Sequence, residues 1–279
     1  MITSKLLKIR ESGFSVRILN FLIRLRLDSF VMRLIHARDI NASTVFFTKN
    51  AERLSAVSEI FADEASRDIY LSAIRFRQGF RRKDVPTVSS EQYFPNNIIK
   101  LSKNETFIDC GAFTGDTLKI FLEKSDDTYH QIVCFEPDQS NFSALDAAFT
   151  DERIVKIQAG VWNEATTLKF LSEKGEGSHV SDSTKTTVNI PVVAIDDIEA
   201  CQEATYIKMD IEGAEMNALL GAKKTIEKNR PKLAICIYHS NEDMLNIPEY
   251  LHASLTDYSF YVRHHSINWQ DTVLYAIPN

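Results

Sequence analysis

One stretch limits the folds open to this chain more than any other: Thr106-Phe107-Ile108-Asp109-Cys110-Gly111-Ala112-Phe113-Thr114-Gly115-Asp116-Thr117. The apolar run Thr106 to Ile108 predicts a buried strand, Gly111 marks its end, and Thr117 to Leu122 has helical spacing. Strand, glycine turn and helix in that order shape a ligand cradle at the carboxyl end of a first strand in α/β proteins. Glycines at 111 and 115 are expected to let backbone approach a ligand where a Cβ would collide. The next predicted strand, Gln131 to Phe135, runs into Glu136-Pro137-Asp138. Glu136 follows Gly111 by 25 residues, about the interval at which such folds place a carboxylate on ribose hydroxyls.

A dinucleotide fingerprint needs a glycine two residues after the first, and Phe113 stands there instead. Asp116 also puts negative charge where a pyrophosphate would meet the positive helix end. S-adenosylmethionine has no phosphate and carries a sulfonium and an ammonium. A cradle with Asp109 and Asp116 suits that cation, so a methyl donor is the expected ligand. The plain alternative is a core strand ended by glycine, with no ligand at all.

The chain has 279 residues, enough for one large domain or one with an appendage. With 44% hydrophobic and 25% charged residues it has the composition of an ordered globular protein. A net charge of −6 argues against a dedicated nucleic-acid binder. Residues 1–50 hold nine Lys/Arg and three Asp/Glu, or +6, which leaves −12 for the remainder. That asymmetry fits a partner or membrane surface at the basic end. Cys110, Cys134, Cys201 and Cys236 show no metal spacing, and a reducing cytoplasm suits them. No apolar run approaches the roughly 20 residues of a transmembrane helix. A cytoplasmic protein is expected.

Residues 14–36 read as a helix with a polar stripe at Arg17, Asn20, Arg24 and Asp28. It packs on the domain or on a second copy, or else rests on anionic lipid as a peripheral contact. A second helix is predicted over 51–77, capped by Asn50 and stopped by Gly79. Arg75, Arg77, Arg81, Arg82 and Lys83 follow as a solvated face, or as a rim for phosphate or acidic sugar. Pro86 and Pro95 bracket a connector, so residues 1–95 form a helical region ahead of an α/β body at 96–279.

Strands are predicted at 106–109, 131–135, 154–158, 206–209 and 232–238, alternating with helical patterns as in a mostly parallel sheet. An inserted or edge hairpin is expected at 167–171 and 187–195, with a Gly/Ser loop between them as a lid. Two further β-rich runs, 259–263 and 272–277, close the chain as an antiparallel pair.

The chain resembles the FkbM family of S-adenosylmethionine-dependent methyltransferases. The resemblance runs from about Tyr93 to Ala276 and is carried by three motifs in order: Phe107 to Thr117, Phe135-Glu136-Pro137-Asp138, and Ile207-Lys208-Met209-Asp210-Ile211-Glu212-Gly213-Ala214-Glu215. It implies a Rossmann-like class I methyltransferase fold, with a seven-stranded mostly parallel sheet containing one antiparallel strand. It also implies methylation of a hydroxyl group, in bacteria often in surface-glycan or natural-product assembly. The acceptor would then be a small molecule or glycan rather than nucleic acid.

Methyl transfer to an alcohol needs the acceptor oxygen held in line and its proton removed. Asp210, Glu212 and His239, at the ends of the fourth and fifth parallel strands, are the candidate catalytic residues. Asp210 or Glu212 could instead cap the helix near Ala214, and His239 could simply be hydrogen-bonded at a strand end. Glu215 reads as a first-turn helix charge. The same three candidates could hold a divalent cation such as Mn²⁺ or Mg²⁺, although their spacing is not a recognised metal motif, so a metal-free site is the preferred reading. For the cofactor, the turn Gly111-Ala112-Phe113-Thr114-Gly115 is assigned to the methionine end and Glu136 to the ribose. Asp109, Thr117, Pro137 and Asp210 join that set, with Gly160 and Val161 near the adenine edge. His179 reaches the pocket only if its loop closes. The rivals are an idle methyltransferase fold serving as a partner-binding subunit and a nicotinamide-dependent dehydrogenase.

Overall fold

The computed structural model describes Arg33 and residues 35–172 and 186–279. The helix expected over 14–36 lies almost wholly outside the described residues, as does the Gly/Ser loop with His179. Among the described residues three helices come first, α1 (Ala37–Lys49), α2 (Ala51–Glu59) and α3 (Glu64–Gly79). The α/β body continues with β1 (Thr106–Cys110), α4 (Asp116–Ser125), β2 (Gln131–Phe135), α5 (Gln139–Ala148) and β3 (Ile154–Ile157). Short strand β4 (Gly160–Val161) and the pair β5 (Thr166–Ser172) and β6 (Thr186–Val193) make a separate three-stranded sheet. The main sheet resumes with β7 (Tyr206–Met209), followed by α6 (Glu215–Leu220), α7 (Lys223–Asn229), β8 (Lys232–Cys236), α8 (Asp243–Ser254), β9 (Tyr258–His264) and β10 (Thr272–Pro278).

The main sheet has seven strands in the order β3-β2-β1-β7-β8-β10-β9. Strand β10 runs antiparallel to both its neighbours, and every other neighbouring pair is parallel. Both faces of the sheet are covered, which explains why its central strands read as continuous apolar runs. Alternation along β1 sends Ile108 and Cys110 to one core and Phe107 to the other. The second core is built around Phe107 and Phe121, stacked with ring centroids 4.6 Å apart and edged by Phe94 and Tyr206.

The helical segment shares the first core: Phe47, Val57, Phe61 and Tyr70 pack in one cluster with Ile108, Ile207 and Val262. It also covers β9, whose outer edge would otherwise present unpaired backbone groups. Ala62 N–H donates to the Phe260 carbonyl (2.8 Å), Ser89 N–H to that of His264 (2.7 Å), and Val262 N–H to the Ser66 hydroxyl (2.9 Å). Arg263 pairs with Asp63 at 2.8 Å.

These contacts explain why the helix expected over 51–77 is two. Residues 61 and 62 leave helical geometry to bond β9, and Asp63 starts α3 afresh by accepting from Ser66 N–H (2.7 Å). Asn50 makes no cap; its amide donates back to the Phe46 carbonyl. The arginine cluster is not wholly a solvated face either. Arg77 is folded in, donating to the Tyr238 carbonyl with its guanidinium 5.2 Å from the Trp269 ring centre.

His264 carries a pH-dependent share of the stability. It is fully buried, with Nδ1 2.9 Å from the Thr272 hydroxyl and Nε2 2.9 Å from the Asn268 carbonyl. Burial pulls its pKa from 6.5 down to about 4. The unfolded chain therefore binds a proton at mildly acid pH that the folded chain refuses. This contribution is present above 6.5 and is lost as pH falls toward about 4. Urea midpoints of wild type should fall more between about pH 7.5 and pH 5 than those of His264→Asn. Parallel losses would refute the assignment.

Candidate functional site

The chain winds outward from β1 to β3 and returns to β7 beside β1, so strand order reverses between those two strands. Open α/β sheets bind ligands in the crevice beyond the carboxyl ends at such a point. Here that crevice is a cavity of about 670 Å³. Of the residues singled out in the sequence, Gly111, Phe113, Asp116, Thr117, Glu136, Pro137, Gly160, Val161, Asp210 and Glu212 line it.

The turn after β1 is closely packed. Gly111 has φ +84°, and a Cβ there would be driven into the backbone carbonyl of Asp210. Gly115 has φ +90°, and its missing Cβ makes room for the Phe149 ring. Both glycines make room for neighbouring protein, letting the β1 and β7 turns and the end of α5 close up, and Gly111 also lines the cavity. Phe113 also adopts positive φ (+50°), which turns its N–H onto Glu136 Oε2 (2.9 Å), and the residue is 53% exposed at the cavity.

Glu136 is buried at the end of β2. Its other oxygen, Oε1, accepts from Asp138 N–H (2.8 Å), and Asp138 in turn caps α5 through Ser140 and Asn141 N–H. A carboxylate offers about four lone-pair positions, so two remain for hydroxyl donors in the cavity.

Asp109 does not reach the cavity. Register makes it the direct neighbour of Lys208 on β7, and the two pair at 2.9 Å with both side chains buried. Burial alone would lower the Lys208 ammonium, but the carboxylates of Asp109 and Asp210 outweigh it and keep the charge. Lys208 Nζ donates onward to the Gly111 carbonyl (2.8 Å), tying the glycine turn to β7. Ala112 is fully buried, and neither it, Thr114 nor Gly115 lines the cavity.

Past β7, Asp210 accepts from the Tyr93 hydroxyl on Oδ2 (2.7 Å) and from the Tyr238 hydroxyl on Oδ1 (3.1 Å). Burial raises both phenols, so they stay protonated donors. Neither Asp210 nor Glu212 caps α6, whose N-cap Ala214 has no side-chain bond. Glu212 takes positive φ (+56°) and leaves its carboxylate 92% exposed. Glu215 is no surface charge: it is fully buried, and its Oε1 accepts from Ile211 N–H (2.8 Å).

His239 emerges beyond β8 into this group. Its Nδ1 lies 3.1 Å from Glu215 Oε1, and its Nε2 lies 3.4 Å from Asp210 and 3.6 Å from Glu212. Burial lowers the imidazole, but the carboxylates of Glu215, Asp210 and Glu212 prevail and raise it. The structure thus brings Asp210, Glu212 and His239 together, and adds Glu215, Tyr93, Tyr238 and Lys208. Of these, only Lys208 left a usable trace in the sequence: an ammonium inside an apolar parallel strand must have a buried partner.

Among the described residues the cavity wall has five carboxylates, Asp116, Glu136, Asp210, Glu212 and Asp271, against the single ammonium of Lys208, already matched by Asp109. Such a wall repels a diphosphate and accommodates a cation. A sulfonium compound with a ribose fits both the charge and the free lone pairs of Glu136.

Comparison with known proteins agrees with this fold. The family model described as the methyltransferase FkbM domain matches residues 109–260. No curated protein matches the chain. Among solved structures, a methyltransferase FkbM from Methylobacillus flagellatus is 27% identical with a TM-score of 0.71, covering 83% of this chain and 60% of its own. This chain therefore spans about 60% of that protein's length. An rRNA methylase from Streptococcus thermophilus (13% identity, TM-score 0.39) covers 63% of this chain and 87% of its own. A methyltransferase from Streptococcus mutans in complex with SAH (12%, 0.39) covers 63% and 89%. Among the described residues, no helix is long and apolar enough to cross a membrane.

Proposed function

This chain belongs to the FkbM methyltransferase family, and from that premise we propose that it methylates a hydroxyl group, on a sugar in a bacterial glycan or natural product, using S-adenosylmethionine. The observation that carries the reading is the acidic cavity in which Glu136 at one strand end and Asp210 at another face a common space. The donor supplies an electrophilic methyl on a cationic sulfur. Glu136, fixed by two backbone N–H groups, holds the ribose hydroxyls. The remaining carboxylates complement the donor's positive charge.

Asp210 lines the cavity and is held by two phenols, so it is placed to accept a hydrogen bond from the acceptor hydroxyl, aim a lone pair of that oxygen, and take its proton. Bond by bond, the O–H and S–CH₃ bonds break, the O–CH₃ bond forms, and the proton ends on a carboxylate.

The test has two arms. Calorimetry with Glu136→Gln should show affinity for S-adenosylmethionine reduced by about 10–100-fold, the loss of a hydrogen bond to a charged group. Unchanged affinity removes Glu136 from the ribose. Wild-type protein incubated with labelled methyl donor and surface-carbohydrate extracts should label a carbohydrate as an ether; label confined to protein or nucleic acid would overturn the acceptor class.

A further inference from the structure

Asp210, Glu215 and His239 arrive from three elements, the end of β7, the first turn of α6 and the loop after β8. One carboxylate oxygen from each acid and one ring nitrogen lie within 4.8 Å of one another. Among the described residues this is the one such group of three. It is more than a patch of acids. Glu215 is fully buried, one of its oxygens is engaged by Ile211 N–H, and the other, Oε2, has no hydrogen-bond partner. The His239 side chain is 9% exposed, and both its nitrogens lie close to carboxylates without the alignment of a hydrogen bond. A buried carboxylate oxygen with no donor is costly unless a cation takes it. Lys208 and one imidazole also cannot balance the four carboxylates around them, Asp109, Asp210, Glu212 and Glu215.

We infer that Asp210, Glu215 and His239 form a binding site for a divalent cation of the Mn²⁺ or Mg²⁺ class, open toward the cavity. Oxygen and imidazole donors suit such ions, which keep several positions for water or substrate. Around an octahedral ion with bonds of about 2.1 Å, neighbouring ligand atoms sit ~3 Å apart and opposite ones ~4.2 Å, so the present spread needs only small side-chain rotations. Glu215 supplies the buried anchor that the sequence spacing did not suggest. The exposed Glu212, 3.6 Å from His239 Nε2, is free to swing in as a further ligand. Asp210 and Glu212 line the cavity, so the open positions face the acceptor, whose hydroxyl the ion would hold and acidify. That role rests on the methyl-transfer reading above; the binding itself does not.

The test uses the full chain stripped with chelator and titrated with Mn²⁺ alone, free ion being read by its electron paramagnetic resonance signal. Wild type should take up one equivalent. Glu215→Gln, which keeps an acceptor for Ile211 N–H, should bind at least about tenfold more weakly, the lower limit of what is lost when even a supporting group is removed. His239→Gln should behave alike and serves if Glu215→Gln does not fold. Both variants should keep their affinity for S-adenosylmethionine. Failure of wild type to retain Mn²⁺, or equal retention by wild type and folded variants, overturns the site. Mn²⁺ binding without methyl transfer to any hydroxyl leaves the site standing and removes the proposed function; transfer without Mn²⁺ binding does the reverse.

Discussion

Asp210→Asn should lower turnover by about 10²–10⁴-fold, the usual worth of a positioned proton acceptor, with affinity for S-adenosylmethionine little changed. The substitution is nearly isosteric. The phenols of Tyr93 and Tyr238 can still pair with the amide, the first as donor to its oxygen and the second as acceptor from its nitrogen. What disappears is the negative charge facing the acceptor, and with it a place for the proton. The loss should appear in kcat rather than in donor binding, because the donor's ribose is assigned to Glu136, at the end of a different strand. A variant with wild-type kcat would remove Asp210 from the chemistry. Equal loss in donor affinity and kcat would make it a residue of the donor site instead.

Lys208→Met should cost about 3–5 kcal/mol of stability, the typical result of breaking a buried pair from one side. Asp109 would be left as a carboxylate with no exposure and no cation, and the Gly111 carbonyl would lose its 2.8 Å donor. Denaturant midpoints measure the cost. The double variant Lys208→Met/Asp109→Leu should recover much of it, since replacing a whole buried pair with apolar side chains is often neutral. If the single variant is as stable as wild type, the pair does not hold the turn; if the double variant is no better than the single, the loss lies in the Gly111 tie rather than in the stranded charge.

The order of strands and helices was legible from the chain because apolar alternation and helical spacing are local patterns. Each main-sheet strand, including the closing pair, falls within a residue or a few of where its pattern put it. Glu136 and Asp210 were legible too, because a polar residue directly after a buried strand must emerge at the sheet's carboxyl edge. Family resemblance added that these strands join in one seven-stranded sheet with a single antiparallel strand, which is β10.

Local pattern was silent wherever a residue's role is set by a partner distant in sequence. Asp109 looked like a cavity acid until register placed it beside Lys208, 99 residues on. Glu215 has the spacing of an ordinary first-turn charge, and only the packing of α6 against the loop after β8 buries it beside His239. The helix through 51–77 breaks because β9, about 200 residues later, needs backbone partners on its open edge. The chain by itself determined which residues are apolar, which are charged and at what period. Tertiary structure alone decided which charges meet, because that depends on which strand ends and helix turns close on one another, and the free energy of a buried charge is settled by its neighbours within a few ångströms.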